Sequence, residues 1–319
     1  MMTIAGQSTS RAREGSGTAQ PRSCWINWSN VDLGLVLVVN RDREKMLTAG
    51  MIDVESIKKE YQDATNLNAR IQLHRRFSLN PYGWMRWVFD QLDLQPLCRI
   101  LELGCGPGSL WSENLERIPV GWDILLTDFS AGMVEQAQKN LGGNRSFHFR
   151  VLDAQHTPLP YGDDVFEVVI ANHMLYYIAD KSALLAEIRR VLKPRGRFYA
   201  STIGERHLVE LVDLITRFDA KLVAWGGGNN PFTLENGAEL IARNFPDVSL
   251  RRYEDGLAVT EVEPLLAYIQ SSKLDLEEER IPKLKTFLEN EMKKAGGVLR
   301  ITKDSGIFIS SKTKNDAQG

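Results

Sequence analysis

The chain has 319 residues, 43% hydrophobic and 25% charged, an ordinary globular composition with apolar material for one large domain or two small ones. Its formal net charge of −2 argues against a basic field that would draw it to nucleic acid or an anionic membrane surface. Three cysteines, Cys24, Cys98 and Cys105, with no C-x-x-C pair, argue against a disulfide framework or a zinc site and for a cytoplasmic location.

The first segment, residues 1–45, is expected to be a disordered tail, because its Ser, Thr, Gly and Arg content in Met1 to Asn30 cannot bury a core. A targeting segment and a mis-assigned start are the alternatives. The apolar run from Leu33 to Val39 is too short to span a bilayer. From Asp53, read as an N-cap, "DVESIKKEYQDATNLNARIQLHRRF" has helical character, and "NPYGWMRWVFDQL" opens a second helix at Pro81. Residues 46–95 therefore read as an N-terminal helical segment. It carries Tyr61, Phe77, Tyr82, Trp84 and Trp87 ahead of the next domain.

An alternation follows over residues 96–203, within a domain that we extend to residue 319. Strands are predicted at "CRILEL", "WDILLTD", "SFHFRVLD", "DVFEVVIAN" and "GRFYAST", separated by helices "SLWSENLERI", "SAGMVEQAQKNL" and "DKSALLAEIRRVLK". Nearly all-apolar strands alternating with helices imply a doubly wound α/β domain whose mostly parallel sheet is covered on both faces. Toward the end, "GGGNNPF" reads as a loop, and "TLENGAELIARNF" as a helix from Thr233. "VSLRRYE" reads as a strand, and "GGVLRITK" with "GIFISSK" as a hairpin turning at "DSG".

The functional signal begins in "RILELGCGPGSLW". A strand, a loop with Gly104, Gly106 and Gly108, and a helix start bring bare backbone close to a ligand. Ser109 stands where a dinucleotide fingerprint wants its third glycine or alanine. Pro107 removes an N–H from the turn, and Glu102 puts negative charge beside it. A diphosphate would be repelled, so the expected ligand group is cationic. Asp128 ends the next predicted strand, where a carboxylate can accept from a ribose diol. Asp153 ends the following one, where it can accept from an adenine amine beside the backbone of Ala154. An amino-acid cation, a ribose and an adenine read by successive strand ends describe S-adenosylmethionine.

With these residues in place, "ILELGCGPG", "LTDFSAGMVEQA", "VLDAQHTPLPYGDDVFEVVIANHMLYYIAD" and "EIRRVLKPRGRFYAST" resemble class I S-adenosylmethionine-dependent methyltransferases. The similarity is strongest to the small-molecule branch that includes the ubiquinone/menaquinone biosynthesis enzymes. The resemblance implies a Rossmann-like, seven-stranded sheet with an antiparallel last strand and an N-terminal helical lid. It implies cofactor binding at Gly104, Gly106, Gly108, Asp128 and Asp153, flanked by Glu102, Cys105, Ala154 and Gln155, with Phe129, Ser130 and Met133 at the ribose and adenine. It also implies that Asn172 and His173 face the reacting methyl.

For the chemistry, His173, Tyr176 and Tyr177 are the catalytic candidates, His173 being equally readable as a structural or cofactor-contacting residue. Phe77, Tyr82 and Trp84 are the lid candidates. His148 reads as a packed structural histidine, His156 as a possible lining of the adenine site, and His207 has no evident role. No D/N-P-P-Y/F motif follows the fourth strand and no basic stripe suggests RNA, so a small organic acceptor is expected, without metal, nucleic acid or membrane. An RNA or protein methyltransferase, a non-catalytic cofactor-binding module and a dinucleotide oxidoreductase are the alternatives.

Overall fold

The computed structural model describes residues 65–222, 231–272 and 276–313. Residues 1–45, the Asp53 cap, Tyr61 and most of the "GGGNNPF" loop lie outside the described residues. Within them, α1 (Thr65–Phe77) and α2 (Trp84–Gln91) precede β1 (Arg99–Leu103), α3 (Ser109–Ser112), β2 (Asp123–Asp128), α4 (Ala131–Leu141) and β3 (Phe147–Val151). Then come β4 (Phe166–Asn172), α5 (Lys181–Val191), β5 (Leu192–Ile203), α6 (Val209–Phe218) and α7 (Gly237–Ala242). The chain continues through β6 (Asp247–Val259), α8 (Val262–Ser271), α9 (Ile281–Lys294) and β7 (Leu299–Ser311).

The strands form one seven-stranded sheet in the order β3-β2-β1-β4-β5-β7-β6. The first five are parallel neighbours, and β7 runs antiparallel to both β5 and β6. This is the predicted doubly wound, mostly parallel architecture. β1, β2 and β4 are buried almost throughout, as strands covered on both faces must be. The chain order reverses across β1 and β4, so their C-terminal ends open onto the crevice where doubly wound sheets bind ligands. Among the described residues no helix is long and apolar enough to cross a membrane.

The structure corrects three local expectations. "DSG" is not a hairpin turn, because β7 passes straight through Asp304, Ser305 and Gly306, paired with β5 on one side and β6 on the other. Cross-strand partners make the polar triplet tolerable there. Arg252 binds the Asp304 carboxylate, and Gly306 lies so close to the Arg251 carbonyl that a Cβ would approach it to 2.6 Å. The predicted helix "SLWSENLERI" splits into α3 and a 3-10 turn at Leu115–Arg117. Asn114, fully buried between them, gives its amide to the Leu110 carbonyl at 2.8 Å and so competes with the helical ladder. The helix expected from Thr233 begins at Gly237, because Thr233 and Asn236 satisfy one another in a turn before it.

Candidate functional site

The glycine loop leaves β1 with all three glycines at positive φ, Gly104 at 68°, Gly106 at 54° and Gly108 at 76°. Side chains rarely adopt that region, and at Gly104 and Gly108 a Cβ would also approach Met174 to 2.9 Å and Leu141 to 2.7 Å. Asp128 holds the loop from the end of β2. One oxygen accepts the Gly106 N–H and the other the Ser130 N–H, each at 2.9 Å. Burial raises its pKa above the usual carboxylate value, and those two N–H groups oppose the rise. Ser130 caps α4 by accepting the Met133 N–H at 3.3 Å, and Met133 is enclosed by the core. Phe129 keeps a partly exposed face beside them.

Glu102 departs from its predicted state. Its carboxyl is 2% exposed and accepts the Trp111 indole N–H at 2.6 Å. Burial pushes its pKa up to about 8, aided by nearby Asp128 and opposed by the Trp111 bond. At neutral pH the group is therefore largely protonated and offers little standing negative charge. Cys105, also buried, keeps its thiol protonated through desolvation first and the same two acids second.

Asp153 follows β3, the outermost strand on this side, so the three acids sit on adjacent strands in the order Glu102, Asp128, Asp153. One Asp153 oxygen accepts the Gln155 N–H at 2.9 Å, and the other lies 3.3 Å from His156 Nδ1. His156 itself points largely to solvent, its side chain 85% exposed. The Gln155 side chain bridges two loops, giving its amide to the Tyr177 carbonyl at 3.1 Å and accepting the Ala179 N–H at 2.9 Å. It ties the β3 loop to the β4 loop, with Ala154 buried beside it.

At the end of β4, Asn172 accepts from the Ser201 hydroxyl on β5 and lies 3.8 Å from Met85 Sδ. His173 follows at φ 52°, a strained conformation for a non-glycine residue, held by its N–H to Ser201 Oγ at 3.0 Å. Its ring sits 5.1 Å from Trp84 and 6.5 Å from Tyr176, which packs 4.5 Å from Tyr177. Burial, then the charge of Lys303, lowers the His173 pKa to about 4.

Around His173 the fold gathers residues that no sequence spacing connects. His207 lies between β5 and α6, and its Nδ1 accepts the Asp304 N–H at 3.2 Å. Burial drives its pKa down to about 3. His74 on α1 stands 6.1 Å from His207 and is also held well below the usual imidazole range, chiefly by burial. Lys303 on β7 pairs with Asp255 on β6, and Tyr253 packs 5.5 Å from Trp84. Among the described residues no group of His, Cys, Asp and Glu is arranged to hold a metal ion.

Of the lid candidates only Trp84 reaches this cluster. Phe77 is 7% exposed inside an apolar core with Leu257, Val259 and Leu265, so the α1 helix is anchored by packing there. Tyr82 points outward, 45% exposed, with its hydroxyl donating to Asp90 at 2.6 Å. His148 is not packed in the interior, since its partly exposed ring pairs with Asp123 at 3.1 Å.

Residues 101–200 match a family model described as a methyltransferase domain. A malonyl-(acyl-carrier protein) O-methyltransferase of Legionella pneumophila is 32% identical over 126 residues, covering 39% of this chain and 43% of that protein. The ubiquinone/menaquinone biosynthesis C-methyltransferase UbiE of Desulfotalea psychrophila is 33% identical over 114 residues, 36% of this chain and 45% of that one. The matched region thus spans less than half the length of these curated relatives. In fold, the chain is similar to phosphoethanolamine N-methyltransferase 2 of Haemonchus contortus, solved with S-adenosyl-L-methionine. That comparison has a TM-score of 0.51 and 15% identity, over 82% of this chain and 60% of that one. The 4+2 cyclase SpnF has a TM-score of 0.51 and 17% identity, over 81% of this chain and 96% of that one.

Proposed function

We propose that this chain, whose residues 101–200 match the methyltransferase domain family, transfers a methyl group from S-adenosylmethionine to a small organic acceptor. The observation that carries the reading is the Asp128 clamp. One carboxylate fixes both the left-handed glycine loop and the start of α4, at the crevice where β1, β2 and β3 end side by side. The residues fit the cofactor. Side-chain-free backbone at Gly104 and Gly106 leaves room for close approach, Asp128 retains lone pairs for a ribose diol, and Asp153 stands one strand further for the base.

When bound, the cofactor supplies an activated methyl on a sulfonium. The chain's part is then to orient and enclose. Glu102 can lose its proton when a cation arrives, since an opposite charge favours the carboxylate. Asn172, fixed by Ser201, and His173, fixed by its strained backbone, border the place where an acceptor would meet the methyl. A neutral imidazole with a pKa of about 4 is a weak base at neutral pH, so we assign His173 to hydrogen bonding and positioning, with Tyr176 and Tyr177 beside it. Positioning alone can supply roughly 7–11 kcal/mol for an in-line displacement.

Calorimetry with S-adenosylmethionine, S-adenosylhomocysteine and NAD tests the cofactor, and methylated product formation over a metabolite panel tests turnover. Binding of the first two without NAD is expected. Binding of NAD alone would overturn the reading, and cofactor binding without any product would leave a binding module.

A further inference from the structure

We infer that the cluster of His74, Trp84, His173 and His207 forms an acceptor pocket. It takes an apolar, flat molecule through an oxygen that accepts hydrogen bonds, a carbonyl, carboxylate or phenolate, and it discriminates against cationic amines. This rests on the methyl-transfer reading above and adds the chemistry of the acceptor.

The cluster is assembled from separate elements. Trp84 lies 5.1 Å from His173 and 5.3 Å from Trp87, and His74 lies 6.1 Å from His207. Lys303, 5.6 Å from the Tyr253 ring, is the cation whose charge reaches all three imidazoles. Each of the four residues is partly buried and keeps some accessible surface.

Three buried polar atoms here have no partner, Trp84 Nε1, His74 Nδ1 and Tyr253 Oη. Buried polar groups are almost always paired, so three orphans in one cluster point to a partner from outside the chain. An indole N–H can only donate, which makes that partner an acceptor. The bordering carboxylates are already taken. Asp255 binds Lys303 and Ser78 and accepts the Asn80 N–H at 3.0 Å, while Asp304 binds Arg252. An ammonium group would find no free anion and would face Lys303. The imidazoles, held neutral by burial and by Lys303, add hydrogen-bonding capacity without charge. The rings of Trp84, Trp87 and Tyr253 form the apolar side.

The test titrates benzoate, acetophenone and benzylammonium into the full chain, with and without S-adenosylhomocysteine, by saturation-transfer NMR and tryptophan fluorescence. Benzoate and acetophenone should bind at least tenfold tighter than benzylammonium. Trp84→Phe and His74→Phe, which keep a ring and lose the nitrogen, should each weaken the oxygen probes several-fold while leaving S-adenosylhomocysteine affinity unchanged. Equal or tighter benzylammonium binding, no binding of any probe, or indifference of both variants would overturn the pocket. Should a variant unfold, the ranking of probes on the unaltered chain still decides. Failure of S-adenosylhomocysteine to bind is a separate readout that overturns the transfer reading instead.

Discussion

The Trp111 indole donates to Glu102 at 2.6 Å inside the core, joining the glycine loop's two flanks, β1 and α3. This bond favours the Glu102 charge, and desolvation outweighs it. A buried carboxyl with a pKa of about 8 links stability to pH. Below 4.5 it is protonated both folded and unfolded, whereas between 4.5 and 8 only the folded chain keeps the proton. Stability contributed by this group is therefore lost as pH rises through that window. Glu102→Gln keeps an acceptor for Trp111 and cannot ionise, so it should gain stability over the unaltered chain by up to about 1.4 kcal/mol per pH unit across the window. Denaturant melts at pH 5 and pH 8 check this. An equal difference at both pH values would place the Glu102 pKa elsewhere.

Cofactor binding should release a proton at neutral pH, as a cation near Glu102 pulls its pKa down. Calorimetry at pH 7 in two buffers of different ionisation enthalpy reads the proton count directly. About one proton is expected for the unaltered chain and none for Glu102→Gln. Equal counts would separate Glu102 from the cation.

Asp128→Ala should weaken S-adenosylmethionine binding by about 1–3 kcal/mol, because two loop N–H groups lose their acceptor along with any ribose contact. Asp128→Asn, which retains one acceptor oxygen, should fall between. A dissociation constant unchanged by both would remove Asp128 from the site.

The imidazoles of His173 and His207 have pKa values lowered to about 4 and about 3, so their neutral forms stabilise the fold above pH 6.5. That stability is lost as pH falls from 6.5 through the folded values, because the unfolded chain binds the protons first. His207→Asn keeps an acceptor for the Asp304 N–H and does not titrate. Its melting temperature should therefore fall less steeply than that of the unaltered chain between pH 6.5 and pH 4.5.

Phe77 and Trp84 should separate in their effects. Phe77→Ala empties a packed core position and should destabilise by about 3–5 kcal/mol, with cofactor affinity per folded molecule unchanged. Trp84→Phe should change the melting temperature little and lower turnover. A stable Phe77→Ala with impaired turnover would return Phe77 to the lid.

The part of the site nearest the glycine loop was legible because it is written locally. Gly104, Gly106 and Gly108 mark positive φ, Asp128 and Asp153 mark strand ends, and apolar strands alternating with helices mark the doubly wound sheet. Each of these signals lies within a few residues of the structure it specifies. Hydrogen bonding then decided what was too close to read from spacing, such as the use of Gln155 as a tie between two loops.

The sequence by itself determined the strand–loop–helix units and the carboxylates at the sheet edge, while the antiparallel last strand was implied by the family resemblance. Only the tertiary structure decided three things. It carried β7 straight through "DSG", because Arg252 and the strands on either side satisfy what a turn otherwise would. It reversed the state of Glu102, because a carboxylate's charge depends on the solvent that Trp111 and the core exclude. It brought His74, His173, His207 and Lys303 together from α1, two loops and β7, up to 229 positions apart in numbering, 303 minus 74. Side-chain protonation and long-range convergence depend on three-dimensional burial, and no local pattern of residues records that.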